Sequence, residues 1–175
     1  MTLRSCTLST PLGDMLAVAS PAGLCLLEFV GQKGVERELA QVEAVRGSLA
    51  QMGDSPILAQ TRAELAEYFA GQRQGFGVPL DLVGTAFQQA AWQALLAIPH
   101  GQTRSYAQQA CAIGQPSATR AVAAANGANK VSIIVPCHRV IGSNGSLTGF
   151  GGGLARKEAL LALEGRAAQQ DLHGF

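Results

Sequence analysis

Nowhere in its 175 residues does the chain stay apolar for the roughly 18 positions that a membrane-spanning helix needs. The most apolar early stretch, residues 16–30, is broken by Pro21, Gly23 and Glu28. The opening segment, MTLRSCTLST, lacks the apolar centre of a secretory signal, so a soluble cytoplasmic protein is expected. No CxxC pair occurs among the four cysteines at positions 6, 25, 111 and 137, which argues against a disulfide framework. The three histidines, His100, His138 and His173, form no cluster with zinc-ligand spacing, and neither a metal nor a cofactor is expected.

What is present is a globular composition, 47% apolar, at a length that fits one ordinary domain or two small ones. The net charge of +1 hides an asymmetry. Residues 1–100 carry 6 Lys+Arg against 9 Asp+Glu, whereas residues 101–166 carry 7 against 2. A basic second half suits a surface that faces phosphates, although a solvated basic face has the same composition.

The first half reads as strands followed by a helix. Residues 5–13 end in a Pro/Gly turn, and residues 15–20 and 24–30 are short β-type runs separated by the turn Pro21-Ala22-Gly23, which predicts two hairpin-linked strands or three. Residues 35–52 are mixed and polar, reading as helix plus loop. Ser55 and Pro56 suit a helix N-terminus, and that helix should run to Gly71 with Leu58, Leu65 and Phe69 facing the core. Residues 76–83 are read as one more strand. In the second half, Thr85 caps a helix with Phe87, Trp92, Leu95 and Leu96 on its apolar face. A short helix closes on Gly114, and another begins at Pro116 and Ser117. The pair has helix-turn-helix proportions, which any helical hairpin shares. Residues 131–136 read as a buried strand ended by Pro136, residues 155–165 as a last helix, and residues 165–175 as a polar tail expected to fray.

The chemically informative segment is IIVPCHRVI, where an apolar run delivers Cys137 next to His138. A thiol attacks as its thiolate and needs a base or positive charge nearby. Adjacent side chains usually diverge, so His138 could act through a bridging water, with Glu164 on the final helix holding the imidazole in one tautomer. On these residues alone, inert packing of a buried cysteine remains open.

The wider context narrows the choice. PCHRV, followed by IGSNGSLTGFGGGLARKEALLALEG and preceded by TAFQQAAWQALLAIPHGQTRSYAQQACAIG and ATRAVAAANGANKVSIIVPCHRV, closely resembles the O6-alkylguanine-DNA alkyltransferase family, over roughly residues 80 to 165. The resemblance implies an α/β fold class. It implies a small N-terminal α/β domain (residues 1–80) with a short antiparallel sheet, and a mainly helical C-terminal domain (residues 81–175) with a winged-helix-like helix-turn-helix. The boundary should fall near residues 78–85. It implies a monomer that repairs double-stranded DNA containing O6-alkylguanine, with O4-alkylthymine as a second possible substrate, in a single turnover.

The same resemblance assigns roles. Cys137 would accept the alkyl group, His138 would be the base through a water, and Glu164 would orient His138. Asn129 would brace the turn beside the site. Tyr106, in the run Arg104-Ser105-Tyr106, would contact the extruded base and donate a proton toward guanine N3. Arg120 would enter the duplex from the minor groove and fill the space of the extruded nucleotide. The backbone of Cys137, Val140 and Gly151 would read the guanine edge, and Arg104 and Ser105 would contribute to DNA binding. The chain departs from the family pattern at Gln109, where an apolar residue is usual, and at Lys130, where Pro is common. There Lys should loosen the turn and add a basic group near DNA. It also departs at Phe150, where Tyr is common, and at Gly151, which offers only its N–H. The competing readings are a lesion-binding protein without chemistry, a regulatory DNA-binding protein and a cysteine hydrolase. Cys137 argues against the first, the absence of an additional domain against the second, and the need for an oxyanion hole against the third.

Overall fold

In the computed structural model, residues 2–173 are described, with side chains described through residue 165. The chain divides into two compact units at Val83/Gly84.

The first unit is built on a four-stranded sheet. Strands β1 (Leu3–Leu8), β2 (Met15–Ala19) and β3 (Leu24–Phe29) form an antiparallel meander. After helix α1 (Val35–Arg46), strand β4 (Ala50–Met52) pairs parallel to β1 and completes the order β3-β2-β1-β4. Residues 50–52, expected as loop, are therefore an edge strand. Three residues carry no legible alternation, and only the crossover through α1 returns the chain parallel to β1. All six residues of β3 are buried. Helix α2 (Pro56–Phe69) begins as expected, with Ser55 Oγ accepting from Leu58 N–H at 3.2 Å and Pro56 in the first turn. Leu58 and Leu65 are buried, but Tyr68 rather than Phe69 takes the last core position. Residues 76–83 are not a strand. They make one parallel bridge, Leu24 to Leu80, because Pro79 has no N–H to continue a ladder. Gly23 is required there, since a Cβ would lie 2.7 Å from the Pro79 oxygen and the Leu80 carbonyl carbon.

The second unit is mainly helical: α3 (Ala86–Leu96), α4 (Tyr106–Ala112), α5 (Thr119–Gly127) and α6 (Leu154–His173), with a two-residue parallel pair β5 (Arg104–Ser105) and β6 (Val140–Ile141). Capping boxes start α3 at Thr85 with Gln88 and α4 at Ser105 with Gln108. Trp92 and Leu95 are buried, whereas Leu96 is exposed. Gly114 closes α4 at φ +75, and the turn runs on through Pro116 and Ser117, so α5 starts at Thr119 rather than at Pro116. Helices α4 and α5 pack on each other and on α3. The final helix passes Gly165, where its end was expected, and reaches His173. One internal glycine costs only about 1 kcal/mol against a run of good helix formers. Of the tail expected to fray, Gly174 and Phe175 lie outside the described residues. Among the described residues, no helix is long and apolar enough to cross a membrane, and no group of three His, Cys, Asp or Glu could hold a metal ion.

Candidate active site

Residues 131–135, expected as a strand, form a buried turn. The Val135 N–H donates to Val131 O at 3.1 Å, the Ile134 N–H to Ser132 O at 2.8 Å, and Ile133 sits at φ +71. Left-handed backbone at a β-branched residue costs about 1–2 kcal/mol. Burial of the Ile133 side chain returns roughly 1.5–3 kcal/mol, enough to hold it there. An apolar run of this length has the same periodicity whether it becomes strand or buried turn.

Asn129 supplies the polar frame of the turn. Its Oδ1 accepts from Val131 N–H at 3.0 Å and its Nδ2 donates to Val135 O at 2.9 Å. That same Val135 oxygen accepts the N–H of Cys137 at 2.8 Å. One buried amide thus positions the Val135–Pro136 peptide, whose oxygen in turn holds the cysteine N–H. Pro136 then leads into a single 3₁₀ turn, Cys137–Arg139, which leaves Cys137 half-buried and places His138 and Arg139 in the interior.

His138 is 0% exposed, with Nε2 2.8 Å from Glu164 Oε2. Arg139 takes the other side of the same carboxylate. Its Nε donates to Oε1 at 2.9 Å, its Nη2 to Oε2 at 3.0 Å, and its Nη1 to Ile98 O at 2.6 Å. Burial alone would raise the pKa of Glu164, but the hydrogen bonds and charges of His138 and Arg139 outweigh it and hold the carboxyl far below its ordinary 4.5. Burial lowers the His138 pKa, and its hydrogen bond to Glu164 only partly opposes this. With Arg139 already neutralising Glu164, a proton on His138 would leave a net buried charge, so the imidazole is neutral. It donates from Nε2–H to Glu164, which makes Nδ1 the basic atom, and Nδ1 is buried with no protein hydrogen-bond partner.

A cavity of about 390 Å³ opens in front of Cys137. It is lined by Tyr106 from α4, Ala123, Asn126 and Gly127 from α5, Cys137, and Thr148, Gly149, Phe150 and Gly151 from the loop before α6. Tyr106 OH donates to Thr148 O at 3.3 Å and accepts from Thr148 Oγ1 at 3.2 Å. Lys157, fully buried on α6, ties the loop down. Its Nζ donates to Thr148 O at 2.6 Å, Val140 O at 2.7 Å and Gly149 O at 3.3 Å. Burial lowers its pKa, against a raising influence from Cys137.

Of the residues singled out from sequence, Tyr106, Cys137 and Gly151 therefore meet at one cavity, with His138, Glu164 and Asn129 supporting it from within. Arg120 is exposed in the first turn of α5, one turn before Ala123. Val140 is buried outside the lining, with its oxygen engaged by Lys157. Ser105 Oγ caps α4, and the Arg104 guanidinium bonds locally to Thr103 O and Gln102. Lys130, expected to add a basic group toward DNA, is instead buried with Nζ 5.5 Å from the Trp92 ring centre. Its long apolar stem fills the space while the cation meets an aromatic face. Arg139 and Lys157 are site residues beyond those singled out from sequence. Lys157, Leu160 and Glu164 recur at one-face helical spacing, a signal that would have placed the lysine with the glutamate in the interior.

Comparison with known proteins identifies the family. Residues 86–166 match the family model of the 6-O-methylguanine DNA methyltransferase DNA binding domain, and residues 3–82 that of its ribonuclease-like domain. A methylated-DNA–protein-cysteine methyltransferase of Mycolicibacterium paratuberculosis is 46% identical over 160 residues, 90% of this chain and 96% of the relative. A constitutive enzyme of that name from Bacillus subtilis is 42% identical over 155 residues, 89% of this chain and 90% of the relative. The crystal structure of Mycobacterium tuberculosis OGT in complex with DNA superposes at a TM-score of 0.79 with 42% identity, covering 95% of this chain and 94% of that one. Matched in both units and along nine-tenths or more of these two relatives, this chain belongs to the methylated-DNA–protein-cysteine methyltransferase family.

Proposed function

We propose that this protein repairs DNA by direct reversal, moving a methyl or larger alkyl group from O6 of guanine, and in a second use from O4 of thymine, onto Cys137. The observation that carries this reading is the half-buried Cys137 thiol at a cavity, backed by the buried neutral His138 and its Glu164 partner. Sulfur attacks the alkyl carbon in line, the S–C bond forms as the O6–C bond breaks, and a thioether remains. The thiol proton passes through a bridging water to His138 Nδ1. Tyr106 donates a proton toward guanine N3 and regains one from solvent, so guanine leaves neutral. A thioether is not hydrolysed, so each chain acts once.

An alkyl group on O6 is inaccessible inside stacked duplex, and the nucleotide must be rotated out at a cost of about a few kcal/mol. Residues 81–175 form the domain that does this as a monomer from the minor groove. The small side chains of α5 allow close approach to the backbone, Arg120 takes the place of the extruded nucleotide, and Arg104 and Ser105 contact DNA. The peptide groups of Cys137, Val140 and Gly151 read the guanine edge, and Asn129 holds the turn that carries Cys137.

Incubation with a duplex containing O6-methylguanine, followed by peptide mass spectrometry, tests the reading. One added methyl on Cys137 is expected, and Cys137→Ala should bind lesion DNA without gaining mass. Label on another residue, or none, would overturn it. A lesion-binding protein without chemistry would give binding with no mass shift.

A further inference from the structure

Two walls of the Cys137 cavity belong to different helices. Tyr106 comes from the start of α4, and Ala123, Asn126 and Gly127 come from α5. The helices are joined by a reciprocal pair of buried amides. Gln109 Nε2 donates to Asn126 Oδ1 at 2.8 Å, and Asn126 Nδ2 donates to Gln109 Oε1 at 2.7 Å. Gln109 Nε2 also donates to Ala91 O on α3 at 3.1 Å, while Trp92 Nε1 donates to Ala125 O at 2.9 Å. Gln109 is 2% exposed and Asn126 8%. A buried glutamine is a costly core residue unless its amide is used, and here both of its polar atoms are spent on neighbouring helices.

An amide clasp constrains more than an apolar contact does. Packed methyl groups tolerate sliding, whereas two opposed hydrogen bonds weaken as soon as distance or angle drifts. Gln109 lies one turn after Tyr106 on the same face of α4, so fixing Gln109 against α5 also fixes the Tyr106 ring against α5. Asn126 lines the cavity with Oδ1 and Nδ2 both held by Gln109. It therefore enters the lining as a fixed surface instead of an amide free to rotate toward whatever occupies the space.

We propose that Gln109 is a positioning residue for alkyl transfer: its clasp on Asn126 sets the spacing between Tyr106 and α5, and thereby the size of alkyl group that Cys137 accepts. This rests on the alkyltransferase reading above. Gln109 touches neither alkyl group nor base.

The test compares wild type with Gln109→Leu and Gln109→Met in single-turnover reactions on duplexes carrying O6-methylguanine or O6-benzylguanine. Urea midpoints are measured in parallel. Methionine is unbranched and close to glutamine in length, so it keeps the packing if leucine prevents folding. The benzyl-to-methyl ratio of rate constants should change by about tenfold in the folded variants, because released walls alter fit for one group more than the other. A general loss of stability slows both substrates together and leaves that ratio in place. A ratio within about twofold of wild type in a folded, transferring variant overturns the proposal alone. No transfer by wild type overturns the alkyltransferase reading, and this proposal with it. In wild type, NMR should show slow hydrogen exchange of the Gln109 carboxamide, and rapid exchange there also overturns the proposal whatever the variants do.

Discussion

Arg139 and Glu164, 25 residues apart in the chain, meet as a buried fork with two nitrogens on two oxygens at 2.9 and 3.0 Å. The fork settles the protonation of His138. With the carboxylate already matched by a cation, the imidazole gains little from becoming a second one, and it stays neutral and basic at Nδ1.

Breaking the fork should be costly. Arg139→Met leaves the Glu164 carboxylate in the interior without the cation that matches its charge. A loss of about 3–5 kcal/mol is expected from urea denaturation. A loss under about 1 kcal/mol would mean that the pair is solvated in solution.

Stability should fall on acidification in two steps of the same sign. The folded-state pKa of His138 lies below its ordinary 6.5, so below pH 6.5 the unfolded chain binds a proton that the folded chain refuses. His100, lowered mainly by burial, adds to this step. Glu164, held below its ordinary 4.5, adds a second loss that begins near pH 4.5. Urea midpoints between pH 8 and 4 should be level above about pH 7 and decline below 6.5. His138→Asn should flatten the upper step to the share of His100. A midpoint that rises between pH 6.5 and 5 contradicts the neutral imidazole.

Charge on Glu164 should matter to chemistry as well as to folding. Glu164→Gln keeps an acceptor for His138 Nε2–H but removes the negative charge that stabilises the imidazolium formed during attack. Methyl transfer should slow on the order of 10²-fold, with lesion-DNA affinity nearly unchanged. Single-turnover kinetics and a binding titration separate the two, and an unchanged rate would remove Glu164 from the mechanism.

Lys157→Met withdraws the ammonium that bonds the oxygens of Val140, Thr148 and Gly149. The loop before α6 should loosen. Faster amide exchange across residues 142–153 and a transfer rate lower by about tenfold are expected. Unaltered exchange would show that the loop is held by other contacts.

Much of this was readable in the residues, and the failures share a cause. Caps, turns and amphipathic faces are local, so α2, α3, α4 and the β1–β3 meander follow from the sequence. The turn at residues 131–135 does not. Its apolar residues are equally consistent with a strand, and only the long reach of Asn129 to Val135 decides. β4 owes its existence to a partner strand some 47 residues earlier, as in Leu3 opposite Ala50. At the site, the Cys137-His138 neighbourhood was visible, but the buried roles of Arg139, Lys157 and Gln109 were not. Charged and amide side chains read as surface until their partners are known.

Trp92 is the only tryptophan in the chain, and it is buried in the second unit with its indole N–H on the carbonyl of Ala125. Fluorescence excited near 295 nm therefore has a single origin. It registers the seating of α5, the helix that carries Arg120 and part of the cavity wall, against α3. A built-in optical probe of this kind lets melting of the second unit be followed without labelling.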